Sequence, residues 1–222
     1  MDQATLIEAL GKYMDVLEKV SYSTLFLTLG IGWAGLQGKD INALGMSFNR
    51  RQAFVAATVV YIFVDFLILV LFLRLGDLLT QVDAGQFNLA AAELATHTWC
   101  MNPFAFFGDD AWSALFNVAG FGLLIFLWWL CNASLMTLAG DRYTAARIGL
   151  WVLFFALGLS TVRAIIRVDQ ILLARSVGEV SAGYEALRAL NYWASGISVV
   201  VGMLTFGAVY RMRKRFSYRS NP

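Results

Sequence analysis

Residues 54–75, FVAATVVYIFVDFLILVLFLRL, form an apolar run with a single carboxylate, Asp65, near its middle. A helix crosses the hydrocarbon of a bilayer with about 20 mostly apolar residues, at ~1.5 Å of rise each. Arg50 and Arg51 flank the run on one side, and Arg74 stands at its other end. An acid at the bilayer centre costs about 2.5–3.5 kcal/mol on insertion scales, so it persists only where a partner, water or a proton compensates it. The run therefore predicts an integral membrane protein with polar groups held inside it.

The rest of the composition agrees. Only 14% of the 222 residues are charged and 59% are hydrophobic, against roughly 25% charged in a soluble domain. The seven Trp and eight Tyr suit headgroup interfaces. A net charge of +2 gives no support to nucleic-acid binding. Cys100 and Cys131 make neither a disulfide framework nor a metal-ligand spacing. The first apolar run begins near Val20, after six charged residues of mixed sign, without a basic leader or a small-residue cleavage site, so no cleavable signal is expected.

The pattern predicts an all-α fold: a polytopic helical bundle in a single transmembrane domain. Residues 1–19 read as an amphipathic helix lying on the surface or packing on the bundle, with Leu6, Leu10, Met14 and Leu17 at helical spacing. Spans are expected at about 20–36, 54–75, 111–138, 148–168 and 191–210. If the first segment is re-entrant, four remain. Residues 37–49 form a connector punctuated by Gly38 and Gly45. Residues 76–110 carry five acids and no Lys or Arg, with helix favoured at 89–95 and a break at Asn102-Pro103.

Lys and Arg counts orient the bundle. Ten lie on one side: Lys39, Arg50, Arg51, Arg142, Arg147 and five in the tail 211–222, among them Arg211, Arg213, Lys214 and Arg215. Four lie on the other: Lys12, Lys19, Arg175 and Arg188. The basic tail is then cytoplasmic, and the acidic loop and N-terminus lie outside. The arrangement of connectors and spans is that of a bacterial inner-membrane protein.

Depth arithmetic places Asp65 roughly 20 Å into its span and Arg163 roughly 22 Å into the parallel fourth span. Asn117 enters the third span at a similar level, while Tyr61 and Ser160 share the faces of Asp65 and Arg163. An intramembrane cluster of Asp65, Arg163, Asn117, Tyr61 and Ser160 is the expected polar site: a pair pinning two helices, or the lining of an ion or proton path. Arg167 is expected to snorkel to the outer headgroups. Ala194, Ser198 and Gly202 form a stripe of small residues that lets another helix approach closely, within the monomer or between subunits. His97 and Cys100 would need two more convergent ligands, which Asp109 or Asp110 could supply, but one His and one Cys at this spacing are a weak signal and no metal centre is expected.

No nucleophile–base pair, phosphate-binding loop or pair of intramembrane carboxylates is present. The expectation is a non-enzymatic homo-oligomeric membrane protein, without metal or cofactor, that anchors or senses for a cytoplasmic protein partner. The alternative is a small ion-channel or transport subunit with the Asp/Arg cluster near its path.

Overall fold

A computed structural model describes residues 2–37, 41–43, 46–105, 111–138 and 144–175, with positions 193, 196, 197, 200, 201, 204, 208 and 211. The chain is all-α apart from one small hairpin. Helix α1 (Gln3–Gln37) leads through strands β1 (Ile41–Ala43) and β2 (Met46–Phe48) into α2 (Arg50–Gln81). A 3-10 turn (Ala84–Gln86), the short α3 (Phe87–Ala95), α4 (Ala111–Leu138) and α5 (Thr144–Arg175) follow. Among the described residues, two helices are long and apolar enough to cross a membrane: Arg51–Gln81 and Val118–Leu135. That is short of the five expected. Hydroxyls and glycines dilute the second half of α1, while the side chains at 144–148 and 151 of α5 and most of 191–210 lie outside the described residues.

The amphipathic segment and the first apolar run, expected as separate elements, are one 35-residue helix. The reason lies in its buried face. Leu6, Leu10, Met14 and Leu17 continue directly into Ser21, Thr24 and Thr28, all buried, at spacings of three and four that keep one stripe on the core. No glycine or proline interrupts 12–29. The first half therefore packs upright in the bundle rather than lying on a surface.

The connector 37–49 also differs from expectation. Ile41 pairs with Phe48 and Ala43 with Met46 in an antiparallel hairpin. It delivers the chain to Asn49, whose side chain accepts from Gln52 N–H at 3.0 Å while Gln52 Oε1 accepts from Asn49 N–H at 3.2 Å. This reciprocal capping box starts α2.

Helices α1 and α2 are antiparallel, α4 runs with α1, and α5 runs with α2. The last turn of α2 is a junction. Its orphan carbonyls need donors, and Arg175 at the end of α5 supplies them, bonding Leu79 O at 2.8 Å, Thr80 O at 3.2 Å and Val82 O. The same guanidinium lies 4.6 Å from the Phe87 ring. Gln3 of α1 joins in, donating to Gln81 O at 3.5 Å and accepting from Asp83 N–H at 2.9 Å.

Around this junction, α1, α2, α3 and the following loop build a core of Leu10, Met14, Phe72, Leu79, Phe87, Leu94, Trp99 and Phe104, none more than 2% exposed. Buried Asn102 secures the loop: its amide donates to Leu94 O at 2.8 Å and its oxygen accepts from Phe104 N–H at 2.9 Å, spanning Pro103. A Cβ on Gly120 would lie 2.7 Å from Asn102 O, so only glycine lets α4 pass this close.

Arg175→Leu should lower stability by about 2–3 kcal/mol, because it leaves part-buried carbonyls without a charged donor. Arg175→Lys should recover only part, since an ammonium cannot serve three carbonyls and a ring from one plane. Thermal unfolding in detergent checks both; an unchanged midpoint for Arg175→Leu would contradict the role.

Candidate functional site

The polar interior centres on Asp65, in the middle of α2 and only 7% exposed. Its Oδ2 is buried with no hydrogen-bond partner. One turn before it, the Tyr61 hydroxyl shares a 2.9 Å hydrogen bond with Ser134 Oγ. Ser134 Oγ also donates to Cys131 O at 2.8 Å, and Cys131 Sγ shares a 3.4 Å contact with the Thr28 hydroxyl. This small ladder joins α1, α2 and α4 and stops short of Asp65. Both cysteines are free.

Asp65 instead faces a cavity of about 250 Å³ between α1, α2, α4 and α5. Ile68, Leu124, Ile125, Leu127, Leu159, Val162 and Ile165 line it, with Trp128, Trp129 and Phe155 on one flank. Thr24 and Thr161 are its other oxygen-bearing side chains. Both hydroxyls already donate to their own helices, Thr24 to Val20 O at 2.6 Å and Thr161 to Leu157 O at 3.0 Å. Trp128 is held by its indole N–H, which donates to Phe154 O at 3.1 Å. A Cβ on Gly158 would lie 2.6 Å from the Trp128 ring, so the glycine admits the indole against α5.

Of the expected cluster, the structure brings Tyr61 close to Asp65 but not Arg163 or Ser160. Arg163 is exposed on α5, and no ion pair joins it to Asp65. Ser160 is exposed and donates to Ala156 O at 2.8 Å. The Asn117 side chain lies outside the described residues, as do Ala194, Ser198, Gly202, Arg213, Lys214, Arg215, Asp109 and Asp110. Arg211 is described, helical and exposed.

Register explains the separation. Gly76 meets Val168, and Asp77 pairs with Arg167 at 3.1 Å. These offsets put residues near 155–157 of α5 level with Asp65. Arg163 is then six to eight residues farther along, roughly 9–12 Å at ~1.5 Å per residue. It also lies off the buried face of Ala164, Ile165, Val168 and Leu172. Arg167, expected at the headgroups, has Asp77 as its partner.

A second grouping lies at the capped end. Asp15, Glu18 and His97 each offer one ligand atom, all within 4.8 Å of one another. His97 Nδ1 accepts from Trp99 N–H at 3.3 Å, which puts the proton of the neutral ring on Nε2, 3.1 Å from Asp15 Oδ1. A metal on Nε2 would need that nitrogen bare and the proton moved to face Trp99 N–H. The arrangement works as a tie between α1 and the loop after α3. In the sequence nothing marks Asp15 and Glu18 as neighbours of His97, because they meet it only across this fold.

The hydroxyl stripe of α1 and the aromatic flank were missed in the sequence. The stripe leaves a signal, since Ser21, Thr24 and Thr28 recur at helical spacing within an apolar run. The aromatic flank leaves none, because Trp128 and Trp129 read equally well as interfacial residues.

With no ion pair at Asp65, Arg163→Gln should change stability by less than about 0.5 kcal/mol, as an exposed substitution does. Its effect should add to that of Asp65→Asn within about 0.5 kcal/mol. A double mutant milder than either single change would show that the two charges do meet.

Comparison with protein-family models, with curated proteins and with solved structures finds no match for this chain.

Proposed function

We propose that this chain is a multi-pass membrane protein whose bundle serves as an anchoring or sensing subunit. The observation that carries the reading is the placement of its exposed apolar side chains. On α1 they concentrate at Phe26, Leu27, Leu29 and Trp33, and on α2 mainly between Val55 and Phe66. Val152, Leu153, Phe155 and Leu159 of α5 extend the same belt, while Leu115 and Phe116 of α4 lie towards the other end, beyond the Gly120–Asn102 contact. Phe26 is 72% exposed and Phe63 is 65% exposed. Soluble monomers rarely expose contiguous apolar patches beyond a few hundred Å², whereas lipid makes such a belt favourable.

Length supports the same division. At ~1.5 Å per residue α1 and α2 are roughly 50 Å long, well beyond the ~30 Å of hydrocarbon. The belt occupies one end of the pair. The α3 cap, with its acids and the Arg175 junction, occupies the other and stands in water. In this reading the second half of α1, α2, α4, α5 and residues 191–210 make five spans. Trp193, Ile197, Val200 and Leu204, helical and exposed, suit the last of these.

The Lys and Arg bias then places the cap and N-terminus outside and the tail in the cytoplasm of a bacterial inner membrane. The water-exposed parts are too small for a catalytic domain. Their basic tail suits a cytoplasmic protein partner, and the stripe at Ala194, Ser198 and Gly202 suits self-association.

Alkaline carbonate should leave the protein in the membrane pellet. Reporter fusions at Pro222 and within residues 83–97 should report opposite sides, with Pro222 cytoplasmic. Carbonate release, or both reporters on one side, would overturn the topology.

A further inference from the structure

We infer that the cavity around Asp65 is a binding site for a small lipophilic ammonium cation. Three independent features converge. The acid is buried and belongs to the cavity lining, and its Oδ2, shut off from the surface, has no hydrogen-bond partner. An isolated carboxylate in a low-dielectric interior costs several kcal/mol unless a positive charge or hydrogen bonds offset it. Among the described residues, neither the ion pairs Lys12–Glu8 and Arg167–Asp77 nor the His97–Asp15 hydrogen bond reaches Asp65. A proton can offset that charge, and so can a cation that a ligand brings.

The remaining oxygens define the kind of cation. The Thr24 and Thr161 hydroxyls donate to backbone carbonyls, so towards a ligand they act as acceptors. One carboxylate and two hydroxyls fall short of the six or more oxygens that a bare Ca²⁺ or Mg²⁺ requires. An alkylammonium spreads its charge over C–H groups and makes no such demand.

The walls suit the same ligand. Trp128 and Trp129 stand 5.0 Å apart at 72°, and Phe155 lies 6.5 Å from Trp128 at 47°. The two indoles pack edge to face on each other, and a ring face that borders the cavity attracts a cation through its quadrupole. Gly158 and the Phe154 carbonyl fix the Trp128 indole in place before any ligand arrives. An engineered cavity of about 150 Å³ accepts benzene, so about 250 Å³ has room for a ring with an ammonium head. The site goes beyond the anchoring reading, which has Phe155 and Leu159 at its rim facing lipid.

The test uses the full chain purified in detergent and two probes of nearly equal shape, phenyltrimethylammonium and its neutral isostere tert-butylbenzene. Isothermal titration and tryptophan quenching, with detergent alone as blank, follow binding. Phenyltrimethylammonium should bind saturably at one per chain, at least about tenfold more tightly than the neutral isostere, the difference that about 1.4 kcal/mol makes. Asp65→Asn should lose at least about tenfold in affinity while keeping a cooperative thermal transition. Val162→Trp fills the cavity without touching the acid and should also abolish binding, so it decides the matter if Asp65→Asn does not fold. Equal binding of the two probes, or undiminished binding to Asp65→Asn, would overturn the proposal and mark the cavity as a place for apolar matter such as a lipid chain. Absence of saturable binding by either probe would overturn it as well.

Discussion

The last turn of α2 sets the geometry of the bundle. Helix carbonyls at a terminus require donors, and here they come from the first residues of α1 and the last residue of α5. Arg175 serves three carbonyls from one planar group and covers the Phe87 ring at the start of α3. Four helices are thereby held at one level. The packing beneath follows, with Gly76 against Val168 and Asp77 beside Arg167.

That register has consequences about 11 residues away along α2. With α2 and α5 held at offsets of 90–92 (168 minus 76, 167 minus 77), the level of Asp65 falls to residues 155–157. These side chains are apolar or already satisfied. Arg163 is carried past the acid and turned outward. An apolar cavity with one unpartnered carboxylate is what remains where a simpler register would have made an ion pair. A buried pair would have fastened two helices; a cavity leaves an acid available to a ligand.

Close approach between helices depends on small residues at particular points. Gly120 lets the start of α4 slide under the Asn102 loop, and Gly158 lets the Trp128 ring lie against α5. In lipid, such packing carries weight because the solvent offers little hydrophobic drive between helices. The capped end works by different rules. There an ordinary dry core of Leu, Met, Phe and Trp holds α1, α2 and α3 together, and Asn102 satisfies the loop backbone inside it. One pair of long helices thus carries an outward apolar belt towards one end and an inward apolar core at the other.

The sequence by itself determined that the chain is helical and where its long apolar helices lie, because periodicity and composition are local properties. The bounds of α4 coincide with the expected 111–138, and α2 and α5 contain the expected 54–75 and 148–168. Asp65 is conspicuous in the chain and buried in the fold. The continuity of α1 was readable in principle, since one stripe runs from Leu6 to Thr28, but the change from leucine to hydroxyl residues disguised it. The partner of Asp65 was not readable. Depth counted from the ends of each span errs by several residues, and each residue turns a helix by about 100°. Only the tertiary structure decided that register, through contacts between Gln3, Arg175 and the end of α2 that lie some 80 to 95 residues apart in the chain. The same long-range packing decided that Asp15 and Glu18 meet His97, and that Trp128, Trp129 and Phe155 stand beside a buried acid.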